Sequence, residues 1–490
     1  MMKWISRLAL MTLISILGIN QVEAQTVRHN RNFQTVSAEV PETDVQMLSR
    51  RLQAAEARLR QLETSTTVPT SVSSDVLNTA TSRFTSECKD CEPLNFYVDY
   101  DGGFSIKPYD KRKTPFGLKI NGRMQFRWQG FKRDRKTFTN LSGTTNVESR
   151  NDFEIERGRL EFGGFMYDEN LQFYINLDAD TDDNHRVIFH DFWVNYVFNK
   201  ALNVHVGKAF VPGSRSWLDG STRTHLADRS MATTFFRPDR SLGIWATGEI
   251  DEGVFYRAML SNGFETTDLE RGGFQIDDQF FYSGSMWWEP LGDFGKGYAD
   301  LQDHQCAVIR FGHSFAFGSM EPTNATGATR AEQRPFRISD GSRIITPGLF
   351  APGVTVNEFD LYLYAIDFAL KYRGFSVNAE YYFRWLQDFS TTGGAIPFSK
   401  IDSNGFYVDV GYMLMKKKLE LVGRISQVDG FFGDFWEYAA GINWYINGTH
   451  KNKLTLDMAV LNGVPTSNSG PGYEVGMNGI FYRAQWQIAF

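Results

Sequence analysis

Six basic side chains crowd one short stretch of this chain. The run GKAFVPGSRSWLDGSTRTHLADRSMATTFFRPDRSLG carries Lys208, Arg215, Arg223, Arg229, Arg237 and Arg240, opposed only by Asp219, Asp228 and Asp239. Three positive charges are thus in excess locally, in a chain whose net charge is -6. Guanidinium groups donate paired hydrogen bonds that match the oxygens of an oxyanion, and a narrow passage of low dielectric constant strengthens each contact. A connection of this length between two regular elements is usually functional. Arg123 and Arg127, in NGRMQFR, could add to the same anion chemistry. The bland alternative is an exposed loop in which these arginines pair with Asp219 and Asp228 and contribute little.

Other reactive side chains point less far. His190 with Asp191, and His313 with Ser314, are neighbours in sequence whose side chains are expected on opposite faces of a strand, so neither makes a catalytic pair. DADTDDN spaces Asp178, Asp180 and Asp182 like the start of a calcium loop but lacks the sixth-position Gly and a closing Glu, so an acidic strand end is expected and no metal. Cys88 and Cys91, spaced C-x-x-C, could close a disulfide, act as a redox pair or form half a zinc site. No second half-site and no βαβ pattern accompany them, and the expectation is a local structural disulfide. Cys306 is expected within a strand, without chemistry. No catalytic residue and no cofactor are expected.

The elements that must position these residues are strands. In LKINGRMQFRWQGF, Leu118, Ile120, Gly122, Met124, Phe126 and Trp128 alternate with Lys119, Asn121, Arg123, Gln125, Arg127 and Gln129. Leu171 to Asp180, Asn203 to Val206, Phe375 to Trp385 and Lys453 to Val460 repeat the pattern. A soluble sandwich also alternates, but many strands with a fully charged second face, separated by polar turn clusters, match the strands of an outer-membrane barrel. FYRAQWQIAF sets Tyr482, Ala484, Trp486, Ile488 and Phe490 on one face, so that an aromatic stands at the membrane interface. Composition agrees. Phe, Tyr and Trp make 15% of the chain, too much apolar area for a disordered chain, and no apolar run after residue 20 nears the roughly 20 residues of a spanning helix. Basic charge is not concentrated overall, and no nucleic-acid partner is expected.

The first residues read as an address. Lys3 and Arg7 precede the apolar run Leu8 to Leu17, and Val22-Glu23-Ala24 ends on a small residue, which predicts a signal peptide over 1–24. Val45, Leu48, Leu52, Ala55, Leu59 and Leu62 then occupy the a and d positions of three heptads, a narrow seam on a charged helix. The expectation is a periplasmic segment over 25–95, with a coiled coil at 45–63 that joins subunits and a flexible Ser/Thr-rich linker, followed by a barrel over 96–490. The alternative is an amphipathic helix lying on the chain's own domain.

From FYVDYDGGFSIKP at Phe96 onward, and most densely through NGRMQFR, EIERGRLEFGGFMYDENLQFYINLDAD, VHVGKAFVPG and RPDRSLGIWATGE, the chain resembles the phosphate-selective porin O and P family. The resemblance implies an all-β fold, a homotrimer of transmembrane antiparallel barrels of about 16 strands in the bacterial outer membrane. It implies passive diffusion of small hydrophilic solutes, with anions such as phosphate among them, through a water-filled pore narrowed by the basic segment. Arg123, Arg127, Lys208, Arg215, Arg223 and Arg229 are the residues expected to meet the solute. Where the family's phosphate-binding pattern has Ser-Ser-Lys, this chain has Ser221-Thr222-Arg223, and Arg does not replace Lys at such a site without consequence. Two other functions compete. A structural barrel would use the coiled coil to contact the cell wall. A barrel enzyme would need a Ser/His constellation on the outward rim, where none can be placed.

Overall fold

The structure is a computed structural model, described here over residues 95–181, 187–264, 279–321 and 336–490. The signal segment, the heptads at 45–63 and the Cys88/Cys91 pair lie outside the described residues. The described residues open with a hairpin, β1 (Phe96–Tyr100) and β2 (Phe104–Pro108), before the first barrel strand, β3 (Phe116–Arg133). A separate two-stranded ribbon follows, β4 (Thr137–Asn140) with β5 (Gly143–Asn146). The barrel then runs through β6 (Arg150–Met166), β7 (Asp168–Ala179), β8 (Ile188–Asn199), β9 (Leu202–Phe210), β10 (Arg240–Asp251), β11 (Val254–Ser261) and β12 (Phe281–Trp288). It continues through β13 (Val308–Met320), β14 (Thr355–Tyr372), β15 (Phe375–Thr392), β16 (Lys400–Met415), β17 (Leu419–Gly430), β18 (Gly433–Tyr445), β19 (Asn452–Asn462) and β20 (Asn478–Ala489). Each strand pairs antiparallel with the next, and β20 pairs back onto β3 from Gly479↔Arg133 to Ala489↔Arg123, which closes a barrel of 16 strands.

Alternation is realised with burial inverted relative to a soluble protein. Gln125, Arg127 and Gln129 are 0% exposed, while Met124 and Phe126 between them are 39% and 40% exposed. Arg384, Arg424 and Arg483 likewise point into the barrel, beside the exposed outer side chains Tyr381, Leu421 and Trp486. The apolar outer face is what a bilayer requires, because closure satisfies every ladder hydrogen bond and leaves no edge in lipid. Tryptophans mark both rims. Trp288, Trp444 and Trp486 lie near the short-turn end, and Trp128, Trp385 and Trp436 near the other end, where their amphipathic rings suit the headgroup level.

Connections at the two ends of the barrel differ in length. At one end they are tight, as between β14 and β15, where Arg373 (φ 47°) and Gly374 (φ 80°) both take the positive φ of a two-residue hairpin turn. The exception at this end is the long connection from Glu289 to Ala307. Cys306 lies in that connection, exposed and ahead of β13, rather than in a strand as expected. Most of the longer loops occupy the opposite end, including the basic connection between β9 and β10, although β17 and β18 are joined there by only Phe431 and Phe432.

Two bulges change which side chains face inward. Between β3 and β6 the register passes from Gln125↔Arg157 to Phe126↔Ile155, so Glu156 is an extra residue and points inward beside Arg157. Between β7 and β8 it passes from Asn176↔Asp191 to Leu177↔Phe189. This second bulge brings His190 and Asp191 to the same inner face, which corrects the expectation of opposite faces.

Candidate functional site: a basic cavity along one barrel wall

The basic connection folds into the barrel. It contains helix α1 (Arg215–Leu218), a 3-10 turn over Ser221–Arg223 and helix α2 (Met231–Phe236). Ser214 and Ser230 start the two helices, their hydroxyls accepting from Trp217 N and Thr233 N at 3.3 and 3.1 Å. Val211, Leu226, Ala227, Met231, Ala232 and Phe236 are fully buried.

Barrel side chains supply the hydrogen bonds that its irregular backbone cannot make internally. Glu380 accepts from Arg215 N and Ser216 N at 2.7 and 2.9 Å, Glu437 from Met231 N at 2.8 Å and Asp457 from Ala227 N at 2.8 Å. Lys453 donates to Thr224 O at 2.9 Å, Asn443 to His225 O at 2.6 Å and Arg424 to Asp228 O at 3.0 Å. Asp228 receives two barrel guanidiniums, Arg157 at 2.8 Å and Arg127 at 3.1 Å. Glu380→Ala would leave the first two N–H groups of α1 buried without acceptors. We expect a loss of at least ~2 kcal/mol, read as a lower midpoint of heat-induced unfolding in detergent, with Glu380→Gln losing less because its amide oxygen still accepts.

A second segment enters from the opposite end. In the Glu289–Ala307 connection, Phe294 and Tyr298 are buried, Tyr298 N donates to Arg223 O at 3.2 Å, and the Tyr298 and Tyr407 hydroxyls are 3.0 Å apart. Gly297 (φ +81°) is needed where the segments touch, since a Cβ there would lie 2.9 Å from both Arg223 Cβ and His450 Nε2. The Arg215 guanidinium rests over the rings of Phe294 and Tyr298, 5.4 Å from each centroid.

A cavity of about 930 Å³ lies between the basic connection and the inner faces of β3 and β6 to β9. Its charged lining is 11 Lys and Arg side chains against 7 Asp and Glu, an excess of four positive charges. Arg123, Lys208, Arg223 and Arg229 are among them. Arg123 sits 3.4 Å from Glu161, Lys208 donates to Phe189 O at 2.9 Å, and Arg229 donates to Ser216 O and Asp219 O at 2.8 and 2.7 Å. Burial lowers the Arg229 pKa to about 10 against the opposing pull of Asp228. Among the described residues no carboxylate pairs with the Arg223 guanidinium.

Arg127 and Arg215 do not line this cavity. Arg127 is 0% exposed, held by Glu154, Glu156, Asp228 and Gln485. Arg215 is turned to Asn378 at 2.8 Å and lies 3.6 Å from Asp219. Their charge anchors the connection instead of facing the open space. The cavity also uses residues the sequence reading did not single out. Lys296 and Lys451 come from connections at the short-turn end, where strand periodicity carries no information. Glu156 was hidden by its bulge, although the change in parity from Phe153 and Ile155 to Leu160 and Phe162 marks the position. Asp178, first of the suspected calcium run, is engaged by Arg159 at 2.7 Å.

A Ser/His pair does exist. Ser376 Oγ is 3.1 Å from His225 Nε2, and Asp409 is 3.9 Å from His225 Nδ1. All three are fully buried between connection and wall, away from the cavity and from the rim an enzyme would use.

Residues 129–462 match the family described as phosphate-selective porin O and P. The chain belongs to that family. It is accordingly an outer-membrane porin, a channel for small hydrophilic solutes in the bacterial outer membrane. Solved barrels are similar at low identity. The anion-selective porin from Comamonas acidovorans has TM-score 0.49 and 11% identity, over 76% of this chain and 100% of that chain. OmpF of Salmonella typhi in complex with daunomycin has TM-score 0.46 and 11% identity over 80% and 100%. The outer membrane channel DcaP of Acinetobacter baumannii has TM-score 0.45 and 10% identity over 76% and 97%. No curated protein sequence matches the chain.

Proposed function

We propose that this porin passes small anions in preference to cations, by way of the cavity beside the basic connection. The observation that carries the reading is the excess of four positive side chains around a space of about 930 Å³, with the Arg223 guanidinium free of any carboxylate among the described residues. Fixed donors in a narrow space offset the water an anion gives up, and the field of the wall raises its local concentration. Arg123, Lys208, Arg223 and Arg229 are the solute contacts in this reading, and Arg127 and Arg215 support them by holding the connection in place. Small oxyanions such as phosphate fit the paired donors of guanidinium groups. A planar fork at Arg223, where the resembled pattern has a point-like ammonium, favours anions that accept two parallel hydrogen bonds, carboxylates as well as phosphate. The Ser376/His225 pair is buried away from this cavity and takes no part in the proposed passage. The heptads at 45–63 suit a coiled coil that holds three chains together beneath the barrels and contacts the cell wall.

Purified protein in planar bilayers should show discrete conductance steps, and the zero-current potential in a KCl gradient should lie on the anion side. Absence of steps would favour a structural barrel. A potential on the cation side would reject the anion reading while leaving the channel intact.

A further inference from the structure

The β1–β2 hairpin lies where the barrel closes. The β20 ladder on β3 ends at Ala489↔Arg123, and Phe490 N donates to Gly122 O at 2.9 Å. On the same edge of β3 the β2 ladder begins at once, with Phe104↔Ile120, Ser105↔Lys119 and Ile106↔Leu118. β20 and β2 therefore stand end to end along one strand. The end of a ladder is ordinarily where pairing frays first.

Contacts cross the junction in both directions. The Phe104 and Phe490 rings meet edge to face at 6.1 Å. Gly122 makes room for them, because a Cβ there would come within 2.3 Å of the Phe490 ring. At the hairpin tip, Lys119 of β3 donates to Asp101 O at 2.5 Å, while Lys451, from the turn before β19, donates to Gly102 O at 2.6 Å. Lys451 O in turn accepts from Ala489 N at 2.7 Å. The tip depends on two glycines: Gly102 has φ +60°, and a Cβ on Gly103 (φ +156°) would lie 2.2 Å from Asn121 Oδ1.

We propose that this hairpin is a clasp over the closing seam of the barrel. It grips the first strand through a ladder and the last two strands through Lys451 and the Phe104–Phe490 contact, so the seam opens only after the hairpin releases. The outer face of the hairpin, with Val98, Tyr100 and Phe104 exposed, continues the apolar face of β3, which lets the clasp close at the membrane boundary without burying unpaired polar groups. The seam depends on this clasp whatever solute the pore carries.

The test is hydrogen exchange in the full chain carrying Gly103→Val and Phe104→Ala, neither of which lines the cavity. Amide exchange at Ala489 and Phe490 should quicken about tenfold, the scale expected for losing one aromatic contact and its neighbouring bonds, and exchange at Phe481 should stay as in the parent protein. The midpoint of heat-induced unfolding should fall alongside. Unchanged exchange at Ala489 and Phe490 would overturn the proposal, as would an equal rise at Phe481, which would indicate general loosening. If the double variant does not assemble, Phe104→Ala alone decides by the same comparison.

Discussion

Replacing Arg123 and Arg223 together with Glu should move the zero-current potential in a salt gradient from the anion side to near zero. Each substitution removes one positive and adds one negative side chain, so the 11 to 7 balance of the cavity lining becomes nine to nine. Both positions face the open space, and they come from opposite sides of it: Arg123 from β3, Arg223 from the basic connection. The effect on the anion-to-cation permeability ratio is expected to be roughly tenfold, because a charged cleft with low-dielectric walls focuses its field. It should be largest at 0.01 M salt, where the screening length is about 30 Å, and nearly vanish at 1 M, where it is about 3 Å. Arg123→Gln with Arg223→Gln should give about half the shift, since it removes two charges and adds none. A zero-current potential and conductance both unaltered by the Glu pair would place the ion path elsewhere in the barrel.

Asp228→Ala should release the basic connection from the wall. This carboxylate lies 2.8 Å from Arg157, 3.1 Å from Arg127 and 3.8 Å from Arg229, all buried. Removing it leaves guanidiniums in the interior without their counter-charge, a change that typically costs ~3–5 kcal/mol. The expected result is a lower unfolding midpoint together with larger and noisier single-channel current, because a detached connection no longer narrows the lumen. Parental current noise and unfolding midpoint in Asp228→Ala would show that the neighbouring Glu154 and Glu156 suffice.

Acid should reproduce part of that effect in the parent protein. Burial opposes the charged form of Asp228, but Arg157, Arg127 and Arg229 outweigh it and hold the carboxyl well below the ordinary carboxylate range. With the folded value lowered, the stabilisation is complete above the ordinary pKa of about 4 and is lost as pH falls below it toward the folded value. Asp228→Ala should therefore lose less stability than the parent over that acid range.

Much of this was legible in sequence because a barrel wall obeys one rule. A strand between lipid and water must alternate, so Leu118 to Gln129 and Phe375 to Trp385 declared both their structure and their inner face. Excess charge between Lys208 and Arg240 marked the connection that enters the lumen. Periodicity cannot register an added residue, however, and the bulges at Glu156 and His190 reversed the local parity that alternation assigns. Nor can composition separate one arginine from the next. Arg127, Arg215, Arg223 and Arg229 look alike in a list of basic residues, yet Arg127 and Arg215 anchor the connection while Arg223 faces the cavity with no carboxylate partner among the described residues. That division depends on which carboxylates close the distance when β3, β6 and the connection meet, across separations of up to 101 residues. The sequence by itself thus determined the strand pattern, the inner face and the sign of the connection's charge, since each follows from local alternation or composition. Only the tertiary structure decided the entry of the Glu289–Ala307 segment, and which positive charges are engaged in holding the fold and which face the open cavity, because ion pairing falls off with distance in space and not along the chain.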